Sequence, residues 1–147
     1  MANPEPHEQH AGILYVDTSA LLKLLVREAE STVIERELVQ WANLATSIVT
    51  EVELPRALAR ARKDRPDAVI DGSLILQSVL ASAAIIELGE DIVAAARGVT
   101  PVHVGALDAI HIASALSLED ELTGVATYDS RMADALVRVG VTVVTPV

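Results

Sequence analysis

The chain has 147 residues, 51% of them hydrophobic, with a mean hydropathy of +0.39; that suits one domain with a single core and excludes a disordered body. Aromatic residues make up only 2% (Trp41, Tyr15 and Tyr128, with no Phe) and the formal net charge is −10, which excludes a base-stacking platform and argues against a broad basic binding stripe. Cysteine is absent, so disulfides, zinc–thiolate sites and cysteine nucleophiles are excluded, and a reducing cytoplasm is the expected setting.

Residues 1–11, MANPEPHEQHA, are polar and lack the basic and apolar regions of a signal peptide. His7 and His10 are read as part of a frayed tail rather than as metal ligands. From residue 12 to 147 the composition does not shift and no repeat stands out, so one domain is expected.

Ile13–Val16 is a short apolar run rich in β-formers that stops at Asp17. Thr18–Val26 has helical apolar spacing, with Asp17 or Thr18 as N-cap. Residues 30–42 read as a second, amphipathic helix, 43–46 as a strand, and 47–63 as a helix capped by Ser47 with Glu51 and Glu53 in its first two turns. Pro55 falls inside that helix, which predicts a kink beside Glu53 or a later start. A helix opened by Pro66 runs to about Leu80, followed by a strand over 83–88 and a short helix over 90–97. Gly98, Pro101 and Gly105 mark a loop, Leu107–Leu118 a helix, Thr123–Tyr128 a strand, Arg131–Val139 a helix and Val141–Thr145 a last strand. Apolar strands separated by helices predict a mostly parallel sheet of four or five strands covered on both faces, an α/β/α sandwich.

In an open sheet of this kind ligands bind beyond the carboxyl ends of the strands. Acids gather at those ends: Asp17 after the first strand, Glu53 about two turns into the helix after the second, Asp108 in the first turn of its helix, and Asp129 after the fourth strand. Each alone has an ordinary explanation, since Asp17 and Asp108 suit helix starts, Asp129 a turn and Glu53 a solvated face. Their shared location, with the hydroxyls of Thr18, Ser19, Ser47 and Thr127 beside them, points to a joint role. Two carboxylates about 5 Å apart at an effective dielectric near ~20 repel by about 3 kcal/mol, so such a cluster calls for a cation. Hard oxygen donors without cysteine or paired histidines favour Mg2+, with Mn2+ as a substitute, over zinc. A cation of that kind suits phosphate substrates.

The segments LYVDTSALLKL, TSIVTEVELPRAL, ALDAIHIASAL and VATYDSRM resemble, in order and spacing, the four acidic blocks of PIN-domain ribonucleases. The resemblance is nearest to the VapC-type toxins of bacterial toxin–antitoxin pairs, and it covers nearly the whole chain from about Ile13. It implies a PIN-like fold and metal-binding, catalytic acids at Asp17, Glu53, Asp108 and Asp129. Ser19 and Ser47 match small polar positions near the site and Thr127 a hydroxyl that orients it. The family pattern selects Glu53 over Glu51, which lies about 200° around the helix and cannot face the same site. The implied activity is metal-dependent endonucleolytic hydrolysis of RNA, leaving 5′-phosphate and 3′-hydroxyl ends. The implied partners are an RNA substrate and a cognate VapB-type antitoxin that lays an arginine across the carboxylates, with the helices at 19–42 as a docking face. A homodimer or a toxin–antitoxin hetero-oligomer is also implied; no membrane association is expected, because Lys23 and Arg27 interrupt the longest apolar runs.

A metal-free ribonuclease acting through the 2′-hydroxyl needs a general acid and base, commonly two histidines. Only His103 and His111 are available in the folded region, and His111, one turn beyond Asp108, is read as a hydrogen-bonded packing residue ahead of a cleft-lining one. Among the basic residues, Arg56, Arg60 and Lys63 share one stripe on the helix that carries Glu53 and are the candidate RNA contacts, with Arg27 and Arg131 as weaker ones. The competing reading of that stripe is a solvated face balanced by Asp64 and Asp67.

Three other functions compete. A receiver-like domain needs an aspartate at the third strand and a lysine at the fifth, and neither is present. A dehalogenase-type phosphatase needs a second aspartate where Ser19 stands. A non-catalytic PIN-like protein-binding module is the remaining alternative, and the presence of all four acids argues against it.

Overall fold

The computed structural model of the protein describes residues 9–147; His7 and most of the expected tail lie outside them. In chain order the elements are β1 (His10–Val16), α1 (Thr18–Leu22), α2 (Ser31–Leu38), β2 (Trp41–Ser47), α3 (Thr50–Asp64), α4 (Leu74–Ser82), β3 (Ala84–Ile86), α5 (Glu90–Arg97), α6 (Ala106–Leu116), β4 (Leu122–Ala126), α7 (Ser130–Arg138) and β5 (Val143–Val144). All strand pairs are parallel, in the order β3-β2-β1-β4-β5. The sheet is therefore wound outward in both directions from β1, and the carboxyl ends of β1 and β4 flank the point where the winding reverses.

Strand alternation sorts the core into two layers. Leu14 and Val16 of β1, Leu44 of β2 and Ala126 of β4 join residues of α1 to α4 in one cluster, among them Leu21, Ile34, Leu54 and Val79. Tyr15, Ala45 and Val125 face the other way and pack with Ile112 and Ala115 of α6 and Met132 and Leu136 of α7. Both sheet faces are thus covered, which is why the strands read as near-continuous apolar runs rather than as alternating ones. This is the expected α/β/α sandwich, all-parallel and with five strands.

Element boundaries differ from the sequence expectation in physically informative places. The first strand begins at His10, not Ile13, so His10 and Ala11 belong to the sheet rather than to a tail; the His10 ring lies 4.7 Å from that of Trp41. Gly12 makes the early start possible: its φ of +87° accompanies a break in pairing register between His10 and Ile13, and a Cβ there would fall 2.0 Å from Thr123 Oγ1. The first helix ends at Leu22 instead of Val26: beyond it the chain tightens into three-residue turns, Leu24 N donating to Leu21 O at 3.0 Å and Leu25 N to Leu22 O at 2.9 Å, and Val26 leaves to bridge Val69. The second helix stops at Leu38, and Trp41, expected at its end, opens β2.

The third helix starts at Thr50 rather than at Ser47, whose hydroxyl accepts a 3.3 Å hydrogen bond from Val49 N without capping the helix. Pro55 is then the sixth residue of a helix that continues through it to Asp64. The helix expected over 66–80 is split. A single 3-10 turn at Pro66–Ala68 is followed by extended chain, in which Val69 bridges Val26 and Ile70 N donates to Leu25 O at 2.7 Å. Gly72, at φ +64°, reverses the chain, and Ser73 caps α4 by accepting from Leu76 N at 3.2 Å. No helix among the described residues is long and apolar enough to cross a membrane.

Candidate active site

Four separate segments bring acids to one cleft of about 530 Å3 at the carboxyl edge of the sheet. Asp17, Glu53, Asp108 and Asp129 all line it, together with Thr18, Ser19, His111, Arg56 and Arg60 and an apolar border of Leu22, Val49, Val52 and Leu107. Glu51 is turned to a different hollow, beside Ser47, Thr50 and Pro55.

Asp17 directly follows β1, and its N–H donates to Ala126 O of β4 at 3.1 Å, fixing it at the reversal point. Its Oδ1 caps α1 by accepting from Ala20 N at 2.9 Å. Ser19 Oγ donates to both carboxylate oxygens, at 2.7 and 2.9 Å, and Thr127 Oγ1 donates to Oδ2 at 2.5 Å. These two hydroxyls are themselves held by the backbone after β4, since Tyr128 N donates to Ser19 Oγ at 2.8 Å and Asp129 N to Thr127 Oγ1 at 3.0 Å. Asp17 is only 4% exposed. Burial pushes its carboxyl above the ordinary aspartate range, against the hydrogen bonds from Thr127, Ser19 and Ala20.

Asp129 is the N-cap of α7, its Oδ1 accepting from Met132 N at 2.9 Å. Asp108 stands in the first turn of α6. Its carboxyl is held above the ordinary range by partial burial and by the negative charge of Asp129, with Glu53 adding to the effect. Capping and site placement therefore coincide at Asp17 and Asp129 instead of competing as explanations.

Glu53 projects from the first turn of α3. Its Oε1 accepts from Thr18 Oγ1 at 2.9 Å and from His111 Nε2 at 2.6 Å. Burial raises this carboxyl, but the hydrogen bond and charge of His111, with the Thr18 hydroxyl, outweigh it and leave the group below its ordinary value. His111 is 2% exposed, and its other ring nitrogen, Nδ1, lies 2.6 Å from the hydroxyl of fully buried Tyr15. His111 is thus the packed, hydrogen-bonded histidine the sequence suggested, and it also lines the cleft. Tyr15 is not among the residues to which the sequence points. The available signal was a tyrosine inside a wholly apolar strand, whose hydroxyl must find a partner when buried.

Among the hydroxyls singled out beforehand, Thr18, Ser19 and Thr127 bind the acids directly. Ser47 is buried but is not on the cleft; it borders the hollow that holds Glu51. Of the basic stripe, Arg56 and Arg60 line the cleft and Lys63 does not. Arg62 pairs with Asp71 at 2.8 Å and Arg65 with Glu28 at 2.7 Å, whereas Arg56 and Arg60 form no ion pair among the described residues. Asp64 and Asp67 do not neutralise them. Arg131 is close enough to Asp108 for its charge to act on that carboxyl; Arg27 and His103 are not on the cleft.

The donor set suits a hard divalent cation in its chemistry: carboxylate oxygens, with Asp17 buried and Asp108 raised by partial burial and by its acidic neighbours. As they lie, no three acidic or histidine side chains among the described residues are close enough together to hold a metal ion. Asp17 and Glu53 are instead turned to protein donors.

The family model described as "PIN domain" matches residues 14–136. Relatives include Ribonuclease VapC47 of Mycobacterium tuberculosis (strain CDC 1551 / Oshkosh), 34% identical over 142 residues that cover 91% of this chain and 97% of the relative. Ribonuclease VapC46 of Mycobacterium tuberculosis (strain ATCC 25618 / H37Rv) is 32% identical over 133 residues, covering 90% and 97%. Among solved structures, the crystal structure of PAE2754 from Pyrobaculum aerophilum superposes with a TM-score of 0.55 at 22% identity, over 92% of this chain and 85% of that one, which is a likeness of fold. With four acids converging on one sheet edge and a family match that spans both core layers, the chain belongs to the PIN-domain family, among the VapC-type ribonucleases.

Proposed function

We propose that the protein is a metal-dependent endoribonuclease that acts as the toxin of a toxin–antitoxin pair in the cytoplasm. The observation that carries this reading is the convergence of Asp17, Glu53, Asp108 and Asp129 on a single open cleft with Arg56 and Arg60, which form no ion pair among the described residues. RNA phosphates would lie along Arg56 and Arg60, which bring positive charge to the cleft without occupying the acids. Thr127 and Ser19 hold the Asp17 carboxylate in one orientation, and the Asp129 backbone is tied to the same Thr127 hydroxyl. Asp17, Glu53, Asp108 and Asp129 would hold a divalent cation, Mg2+ or Mn2+, which when bound polarises the scissile phosphate and lowers the pKa of water. Hydrolysis by water in this arrangement leaves a 5′-phosphate and a 3′-hydroxyl. A cognate VapB-type antitoxin would silence the site by setting an arginine among the same carboxylates, a charge-assisted substitute for the cation, and the protein would act as a homodimer or within a hetero-oligomer with that antitoxin.

The test is to incubate the purified protein with cellular RNA and sequence the new ends. Cleavage that requires Mg2+ or Mn2+, stops with EDTA and yields 5′-phosphates is expected. Asp17→Asn should reduce it by about 100-fold or more, on the scale of removing one electrostatic stabiliser of a transition state. Cleavage that survives EDTA, or full activity of a clean Asp17→Asn preparation, refutes the mechanism. A protein that binds RNA or a partner without cutting would favour the non-catalytic module instead.

A further inference from the structure

Glu53 is the one acid of the cleft that comes from the long helix α3, and nothing in its own helix holds its carboxylate. Two side chains hold it, Thr18 from α1 on the same face of the sheet and His111 from α6 on the far face. His111, on α6, reaches Glu53 Oε1 with Nε2 at 2.6 Å and lies 3.3 Å from Thr18 Oγ1, which donates to the same carboxylate oxygen at 2.9 Å. Since a carboxylate only accepts, Nε2 carries the proton of that bond whatever the state of the other nitrogen. Nδ1 is fixed in turn by the Tyr15 hydroxyl at 2.6 Å, with the two rings edge to face at 76° and centroids 5.9 Å apart. Tyr15 is fully buried in β1, is not on the cleft, and sits two residues from Asp17.

We infer that His111, anchored by Tyr15, is a positioning residue: the Tyr15–His111–Glu53 chain fixes where the Glu53 carboxylate stands relative to Asp17, so that one strand, β1, sets the placement of two acids of the cleft. This rests on the function proposed above, in that it assigns Glu53 a part in holding the cation. Packing alone does not require the arrangement. An apolar side chain would fill the space between α6 and α3 without a hydrogen bond at each ring nitrogen, and it would leave the Glu53 carboxylate with the Thr18 hydroxyl as its one remaining side-chain donor among the described residues.

The test uses the full chain and two readouts: Mn2+ binding followed by electron paramagnetic resonance with the metal alone, and RNA cleavage separated into kcat and KM. Outer-shell partners of ligating groups change metal affinity or activity by about 10- to 100-fold when removed. His111→Leu should therefore weaken Mn2+ binding and lower kcat on that scale while KM for RNA holds. His111→Gln, which keeps a donor nitrogen near the Nε2 position, should recover part of the loss. Tyr15→Phe touches neither Glu53 nor the cleft and should cost about 2- to 10-fold, the equivalent of one net hydrogen bond. In a Glu53→Ala background, His111→Leu should have no further effect, because the two act through one interaction.

Melting curves identify any variant that fails to fold. If His111→Leu does, His111→Gln and Tyr15→Phe carry the test, since both keep the volume of the site. Wild-type Mn2+ affinity and kcat in Tyr15→Phe and in a folded His111 variant, or an undiminished effect of His111→Leu without Glu53, would overturn the inference and leave the proposed function standing. A wild-type protein that neither binds Mn2+ nor cleaves RNA would instead refute that function, and the inference with it.

Discussion

Asp17 does two things that pull against each other energetically. As the N-cap of α1 it stabilises the fold, and as a carboxylate 4% exposed it carries a charge that burial disfavours. Substitution by asparagine separates the two roles. Asparagine caps a helix as well as aspartate does, and its amide can satisfy the hydroxyls of Ser19 and Thr127, which are free to rotate. With the buried charge removed and the cap retained, Asp17→Asn should melt no lower than the wild type at neutral pH in the presence of chelator, and by up to a few degrees higher, roughly 2–4 °C for each kcal/mol gained. Thermal unfolding monitored by circular dichroism checks this. A large drop in Tm would make Asp17 chiefly a structural residue and weaken its assignment to the cleft.

At the scale of elements, the segment after α1 is tied down by charge. Lys23 pairs with Glu28 and, at 3.2 Å, with Glu30, and Arg65 at the end of α3 reaches Glu28 at 2.7 Å. Lys23 also lies 4.7 Å from the centre of the Tyr128 ring, next to Asp129. The hydrogen bond from Lys23, with that from Arg65, holds the Glu28 carboxyl below its ordinary value of 4.5. For an acid depressed in the folded state, the stabilisation is complete above its unfolded pKa and disappears as the pH falls through the folded one. Glu28→Gln should therefore lower Tm at neutral pH by an amount matching a partly exposed ion pair, about 1 kcal/mol or less. The gap between variant and wild type should close as the pH is taken well below 4.5. A gap that persists in acid would mean that packing, not charge, is what Glu28 supplies.

This same segment shows what a sequence can and cannot reveal. The order of helices and strands was legible throughout, because each carries apolar residues in a period that survives tertiary context. So was the meeting of the acids at one sheet edge: Asp17, Asp108 and Asp129 lie just beyond strands or at helix starts, where position follows from local order. The helix expected over 66–80 was not legible. Its break is held by Val69 bridging Val26 and Ile70 bonding to Leu25, contacts that no local periodicity encodes, although the Asp71-Gly72 turn and the Ser73 cap that follow them are local signals. Tyr15 and His111 were missed as a pair for the same reason, since 96 residues separate them. Ser47 was placed with the site on its proximity to a strand end, but the turn through Ile48 and Val49 carries α3 onward so that Glu53, and not Ser47, faces the cleft.

For the whole molecule, the net charge of −10 opposes RNA at long range, so binding must come from where the charges stand. All three aromatic residues are committed within the fold. Tyr15 is bound to His111, Trp41 Nε1 donates to Glu37 at 2.9 Å, and the Tyr128 hydroxyl donates to Pro146 O at 2.8 Å. Stacking on bases is therefore unavailable, and phosphate contacts at the cleft have to supply the affinity. A bound cation would offset about two of the clustered negative charges, and Arg56 and Arg60 add two more positive ones beside it. If these arginines each neutralise one phosphate, the slope of log affinity against log salt should become shallower by about 0.7 for each on single-stranded RNA. Arg56→Gln and Arg60→Gln should each weaken binding of the inactive Asp17→Asn protein in low salt, by similar factors for unrelated RNA sequences, and the double variant should be nearly salt-independent. Lys63→Gln, which lies on the same helix but off the cleft, should leave the slope unchanged. Fluorescence anisotropy across a salt series distinguishes these outcomes. An equal effect of Lys63→Gln would show that the whole helix face binds RNA, whereas no effect from either arginine would move the RNA path to another side of the cleft.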